Sequence, residues 1–111
     1  MKFYKDDGKE SISGDSPKEI SLDAFIKEVE KIPQSYEDNF IGLINDKDET
    51  IQFIRLEQDL WLTDVPVLRG NTYLYSLEDD SLTTEKVKQI SRNFFSGTDW
   101  KSLCNLKPTK K

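Results

Sequence analysis

Residues 40–77, FIGLINDKDETIQFIRLEQDLWLTDVPVLRGNTYLYSL, divide into four apolar runs separated by polar turns. The runs are Phe40–Ile44, Thr50–Leu56, Leu60–Val65 and Thr72–Leu77. They are rich in β-branched and aromatic residues, which fit a pleated, half-buried surface. The links are short: Asn45–Glu49, Glu57–Asp59, and a longer one around Pro66 and Arg69-Gly70-Asn71. Parallel neighbours need crossovers of about a dozen residues or more, so such links predict an antiparallel meander.

Helical patterns flank the meander. Ser21 suits an N-cap, and Leu22, Phe25, Ile26, Val29 and Ile32 recur at the spacing of one buried helix face before Pro33 ends it. A second helix starts near Thr83, buries Val87, Ile90 and Phe94, and stops at Gly97. Phe3 and Tyr4 read as a short edge strand and Lys5–Pro17, with Gly8, Gly14 and Pro17, as a mobile loop. The expected domain is single and α+β: a four- to five-stranded antiparallel meander packed by two helices. Its parts are an N-terminal strand and loop over 1–20, a helix over 21–33, the sheet over 39–78, a helix over 83–96 and a frayed tail over 107–111.

At 111 residues there is room for one core. Charged residues make up 33% of the chain, yet twelve aromatics argue against disorder. From Glu37 to Asp80, eleven acidic residues face three basic ones, a net charge of −8; from Ser81 to Lys111 the net is +5. The overall charge of −5 disfavours nucleic acid, whose phosphates need clustered Lys and Arg. No apolar run approaches the roughly 20 residues of a membrane span. Met1–Asp7 has no apolar signal core, and the single Cys104 forms no internal disulfide. The expected location is the cytoplasm.

The chain has no histidine, which removes the commonest general base and zinc ligand. Cys104 reads as a packed small hydrophobe. Asp46, Asp48, Thr50 and Glu57 fall at calcium-loop positions, but Ile51 stands where the loop needs glycine. The glycines make no phosphate-cradling pattern. No catalytic, cofactor or metal site is therefore expected.

Alternation along the strands sets Ile51 and Phe53 against Gln52, Ile54 and Leu56; Leu60 and Leu62 against Trp61, Thr63 and Val65; and Tyr73, Tyr75 and Leu77 against Thr72, Leu74 and Ser76. Two helices cover about one face. With the aliphatic set beneath them, Trp61, Tyr73 and Tyr75 are left on a surface flanked by acidic turns, and Trp and Tyr are residues that anchor interfaces. The expected partner-binding residues are Glu57, Asp59, Trp61, Asp64, Tyr73 and Tyr75. The alternatives are that these aromatics complete the core or are buried in a homodimer.

The segment Asn39–Leu106 joins Phe40-Ile41-Gly42-Leu43-Ile44, Thr50-Ile51-Gln52-Phe53, Leu60-Trp61-Leu62-Thr63-Asp64, a Tyr73–Tyr75 strand, a helix closing in Phe94-Phe95-Ser96-Gly97, and Trp100. In this order the motifs resemble the immunity proteins of bacterial polymorphic toxins, in particular the large family first linked to deaminase-type toxins. The resemblance implies a cytoplasmic inhibitor without catalytic residues, working by contact with a cognate toxin domain. Toxins that act on nucleic acid need basic clefts, which an acidic surface complements. The expected partner is a basic protein, with no membrane or nucleic acid involved and the chain itself a monomer or homodimer; the other reading is a self-associating structural or regulatory domain.

Overall fold

In a computed structural model, residues 1–33 and 39–109 are described. The elements are β1 (Lys2–Asp6), β2 (Ser11–Ile12), β3 (Lys18–Glu19), α1 (Leu22–Lys31), β4 (Phe40–Ile44), β5 (Thr50–Glu57), β6 (Leu60–Arg69), β7 (Thr72–Leu82), α2 (Thr84–Ser96), a single 3₁₀ turn (Lys101–Leu103) and β8 (Lys107–Thr109). One antiparallel sheet runs β2-β1-β4-β5-β6-β7-β8, with β3 also on β1. The α+β meander packed by two helices is present, with eight strands among the described residues in place of four or five.

The helices begin and end as their caps dictate. The Ser21 hydroxyl accepts the Ala24 N–H at 3.2 Å, and the Thr83 hydroxyl accepts that of Lys86 at 3.1 Å. Gly97 is left-handed at φ 73°, and the N–H of Thr98 reaches back to the Asn93 carbonyl, closing α2. Both helices pack on one sheet face. Phe25, Val29, Ile32, Val87, Ile90 and Phe94 meet Phe3, Ile41, Leu43, Ile51, Phe53 and Val65, all buried.

The extra strands lie where a loop and a tail were expected. β1 is an inner strand, paired with β4 through Lys2↔Ile44 to Asp6↔Phe40. The Asp7 carboxylate caps the next turn, accepting the Lys9 and Glu10 N–H groups at 2.9 and 2.7 Å. Lys107–Thr109 is no frayed tail but pairs with β7, and the Thr109 hydroxyl donates to the Ser76 carbonyl at 3.0 Å. Lys110 and Lys111 lie outside the described residues.

Lys5 explains why β1 belongs to the fold. It is 5% exposed on the helix side, with its ammonium on Glu28 of α1 at 2.8 Å and Asp7 at 3.1 Å. Burial alone would lower its pKa; the hydrogen bonds to the two carboxylates outweigh that and raise it. Asp7 is held down at about 2 by the Glu10 and Lys9 N–H groups and then by Lys5.

On the opposite face Tyr4 lies across its cross-strand partner Gly42. A Cβ at Gly42 would overlap the Tyr4 ring. The phenol then reaches Gln52 Oε1 on the next strand at 3.0 Å.

Gly42→Ala should cost about 1–3 kcal/mol in urea denaturation, the range for overpacking. In a Tyr4→Ala background it should cost under about 0.5 kcal/mol, so strict additivity would refute the ring-on-glycine packing. Because the folded-state pKa of Asp7 is depressed, its contribution is present above pH 4 and is lost as pH falls towards 2. Asp7→Asn should remove that part of the acid sensitivity, read as denaturation midpoints across the window; identical profiles for both proteins would disprove it.

Candidate partner-binding surface

The register between β5 and β6 decides which side chains reach the surface. Phe53 pairs with Thr63, so Trp61, Thr63 and Val65 point the same way as Ile51 and Phe53, under the helices. Trp61 is therefore fully buried, not surface-exposed as expected. Its indole N–H donates to the Thr84 hydroxyl at 2.9 Å, and the Arg55 guanidinium lies 5.4 Å from the ring centre. The aromatic and aliphatic sets do not occupy opposite faces: Trp61 enters the core with Ile51 and Phe53, while Ile54 and Leu62 lie on the other side of the sheet.

Asp59 is exposed but occupied. Its carboxylate accepts the Thr84 N–H at 2.8 Å, tying the β5–β6 turn to the start of α2. That backbone donor, then the Thr84 hydroxyl, pulls its pKa below the usual carboxylate range. Asp59 and Trp61 thus meet at Thr84 in a structural junction.

Glu57, Asp64 and Tyr73 share the face that carries no helix among the described residues. Glu57 pairs with Leu60 after a bulge at Leu56. Asp64 stands in a row that crosses six strands: Tyr4, Gly42, Gln52, Asp64, Glu78 and Lys107. One Asp64 oxygen is buried with no hydrogen-bond partner among the described residues. The Tyr4 phenol is pushed up to about 12, first by burial and then by the Asp64 charge. Beside this row, half-buried Phe40, Ile54 and Leu62 form an apolar one.

Tyr73 and Tyr75 are exposed, at 44% and 39%. A second irregularity separates them. Leu68 pairs with Tyr73 and its neighbour Val67 with Tyr75, so the two tyrosines fall on opposite faces. The Tyr73 hydroxyl is hydrogen-bonded to Ser76 Oγ at 2.6 Å.

Leu68 and Leu74, both just over half exposed at 52% and 51%, were missed as surface residues. Pro66 had pointed to a long link, yet β6 continues to Arg69 and turns through Gly70-Asn71 into β7. The β5–β6 pairs end at Gln52↔Asp64, and described β8 ends opposite Ser76. The rest of the hairpin extends past both neighbours as a two-stranded arm, and Pro66 sits where β6 becomes an edge. The Gly-Asn pair, with Gly70 at φ 63°, was the available signal.

Among the described residues, no group of three or more Cys, Asp or Glu side chains is placed to hold a metal ion. Burial, then the Asp79 charge, pushes the Cys104 thiol up to about 11, which makes it a poor nucleophile. Among the described residues, a cleft of about 440 Å³ between Met1, Ile20, Phe95, Trp100 and the β4–β5 turn has Asp46, Lys47 and Glu49 as its ionisable side chains, all on the exposed turn. No described helix is long and apolar enough to cross a membrane. No protein-family model, curated protein or solved structure matches the chain.

Trp61→Ala should therefore act on stability, costing about 3–5 kcal/mol in chemical denaturation. An unchanged denaturation midpoint would put the indole back on the surface.

Proposed function

We propose that this chain is a non-catalytic binding protein that engages a basic protein partner through its helix-free sheet face and the β6–β7 arm. The observation that carries the reading is the concentration of exposed apolar side chains on the arm: Leu68, Tyr73, Leu74 and Tyr75. Large apolar side chains grouped in this way on a surface mark interaction sites. Where the arm joins the sheet, the apolar Phe40, Ile54 and Leu62 lie beside Asp64 and Glu78, with Glu57 at the far end of β5. An apolar centre with acidic surroundings favours a partner of opposite charge and speeds encounter.

The resemblance to immunity proteins gives the partner a class. On this reading the partner is a cognate bacterial toxin domain with a basic active cleft, and the chain neutralises it in the cytoplasm by occupying that cleft. Self-association is the competing reading, favoured by one feature: Thr72–Leu77 carries no charge and is rich in strand-forming residues, as in edges that pair with copies of themselves.

The test is co-expression with the product of the neighbouring gene. The pair should co-purify, and the chain should relieve that protein's toxicity. Replacing Leu68 and Tyr73 together by Ala should weaken binding at least about 30-fold while preserving the melting temperature. A harmless neighbour that does not co-purify would sink the proposal. A dimer in sedimentation at tens of micromolar that the same double variant dissolves would support self-association instead.

A further inference from the structure

On the helix side of the arm, where β6 runs past β5, lies a second cleft of about 280 Å³. Its volume is below the roughly 300–1,000 Å³ of small-molecule pockets, which points to one long side chain rather than a cofactor. Val65 and Trp100, the least exposed lining residues at 9% and 7%, make an apolar wall with Leu77 and Val67. The exposed Asp48 and Glu49 line the same cleft from the β4–β5 turn.

The turn that carries them is braced by Asn45. Asn45 Oδ1 accepts the Lys47 and Glu49 N–H groups at 3.0 and 2.9 Å, and Asn45 Nδ2 donates to Glu49 Oε1 at 2.9 Å. Asp48 takes the left-handed conformation at φ 60°, which closes the turn. Neither carboxylate forms an ion pair among the described residues. The Trp100 ring already has a cation over it: the Lys101 ammonium lies 5.6 Å from the ring centre, on an exposed side chain without an ion pair among the described residues.

We propose that this cleft receives one arginine side chain of a partner protein. The aliphatic stem lies on Val65, Val67 and Leu77, and the planar guanidinium displaces Lys101 from the Trp100 face and pairs with Asp48 and Glu49. A long apolar stem with a charged head is the chemistry that an apolar wall with an acidic rim selects. Arginine fits better than lysine because its guanidinium both stacks on an aromatic face and offers several donors to carboxylates. The assignment deepens the binding-protein reading by naming the partner's contact group, and it rests on that reading.

The probe is N-acetyl-arginine methylamide, titrated into isotope-labelled protein and followed by amide and indole NMR shifts. Binding should be weak, with Kd on the order of millimolar, and should move the signals of Asp48, Glu49, Val67, Leu68 and the Trp100 indole. The citrulline analogue, of the same shape without the charge, should leave them unmoved. Asp48→Asn should weaken binding about 2- to 5-fold, the scale of one rim charge. Lys101→Ala should strengthen it, because the competing cation is gone. Equal shifts with citrulline, shifts confined to other regions, or no gain from Lys101→Ala would overturn the proposal. A homodimer that Arg69→Gln dissociates would assign the cleft to a second copy and likewise overturn it. If the probe binds here while the Leu68 and Tyr73 double variant keeps full partner affinity, the arm reading fails and the cleft stands.

Discussion

Burial of the Trp61 indole at the start of β6 is the constraint on which the rest of the molecule depends. Its N–H is satisfied by Thr84, whose own backbone N–H is held by Asp59. Arg55, above the ring, donates to the Ile32 carbonyl at 2.8 Å and to the Gln58 carbonyl at 2.6 Å. Trp61 and Arg55 together thereby join the C-terminal end of α1, the N-terminal end of α2 and the β5–β6 turn. Backbone groups at helix ends and turns need partners, and these polar contacts supply them around an apolar centre. Removing the indole would leave the Thr84 hydroxyl and the Arg55 guanidinium facing a void. The junction therefore fixes where both helices sit, and with them which sheet face stays open.

Irregularities in three places then shape that open face. Pairing shifts at Arg55/Glu57, at Trp61/Thr63 and at Val67/Leu68. Each bulge moves one residue out of alternation and adds twist. The first returns Glu57 to the open side after Arg55, which lies on the helix side over Trp61. The second lets β7 end with Leu82 against Trp61, in time for the Thr83 cap of α2. The third splits Tyr73 from Tyr75, so the arm carries aromatic surface on both sides.

Local signals are legible in the sequence and long-range ones are not. Ser21, Pro33 and Gly97 mark helix ends because capping is decided within a few residues. The four central strands are legible because their composition alternates with polar turns. Strands β2, β3 and β8 are two or three residues long and carry Ser, Lys, Glu and Pro, so composition says nothing of them. β3 and β8 take their pairing from partners 15 or more residues away, and β2 takes its from the turn capped by Asp7. The open face was misjudged for the same reason: alternation within β6 puts Trp61 with Thr63 and Val65, but only the Phe53↔Thr63 pairing says which side that is. A one-residue slip would reverse it. Gly42 is a glycine inside a strand pattern, a signal of close approach, but only the β1–β4 pairing names the Tyr4 ring as its neighbour.

The acidic excess divides in the same way. Glu37 and Asp38 lie outside the described residues, and two other carboxylates are committed to the fold. Asp59 holds the start of α2. Asp79, 7% exposed, accepts from Ser81 and from the Asn105 N–H at 2.7 Å, fastening the segment after α2 against β7. Net charge along a stretch of sequence thus overstates what a partner meets. Asp46, Asp48 and Glu49 remain on the turn near the arm, and Asp64 and Glu78 remain as direct cross-strand neighbours on the open face. Like charges opposite one another on a sheet work against stability, and the buried Asp64 oxygen lacks a donor among the described residues as well. Lys107 on β8 stands opposite Glu78 and tempers the pair from one side, while Asp64 has no basic neighbour in the row. A cationic surface laid over it would offset the repulsion, so the charge argument for a basic partner rests on these few carboxylates and not on the whole excess.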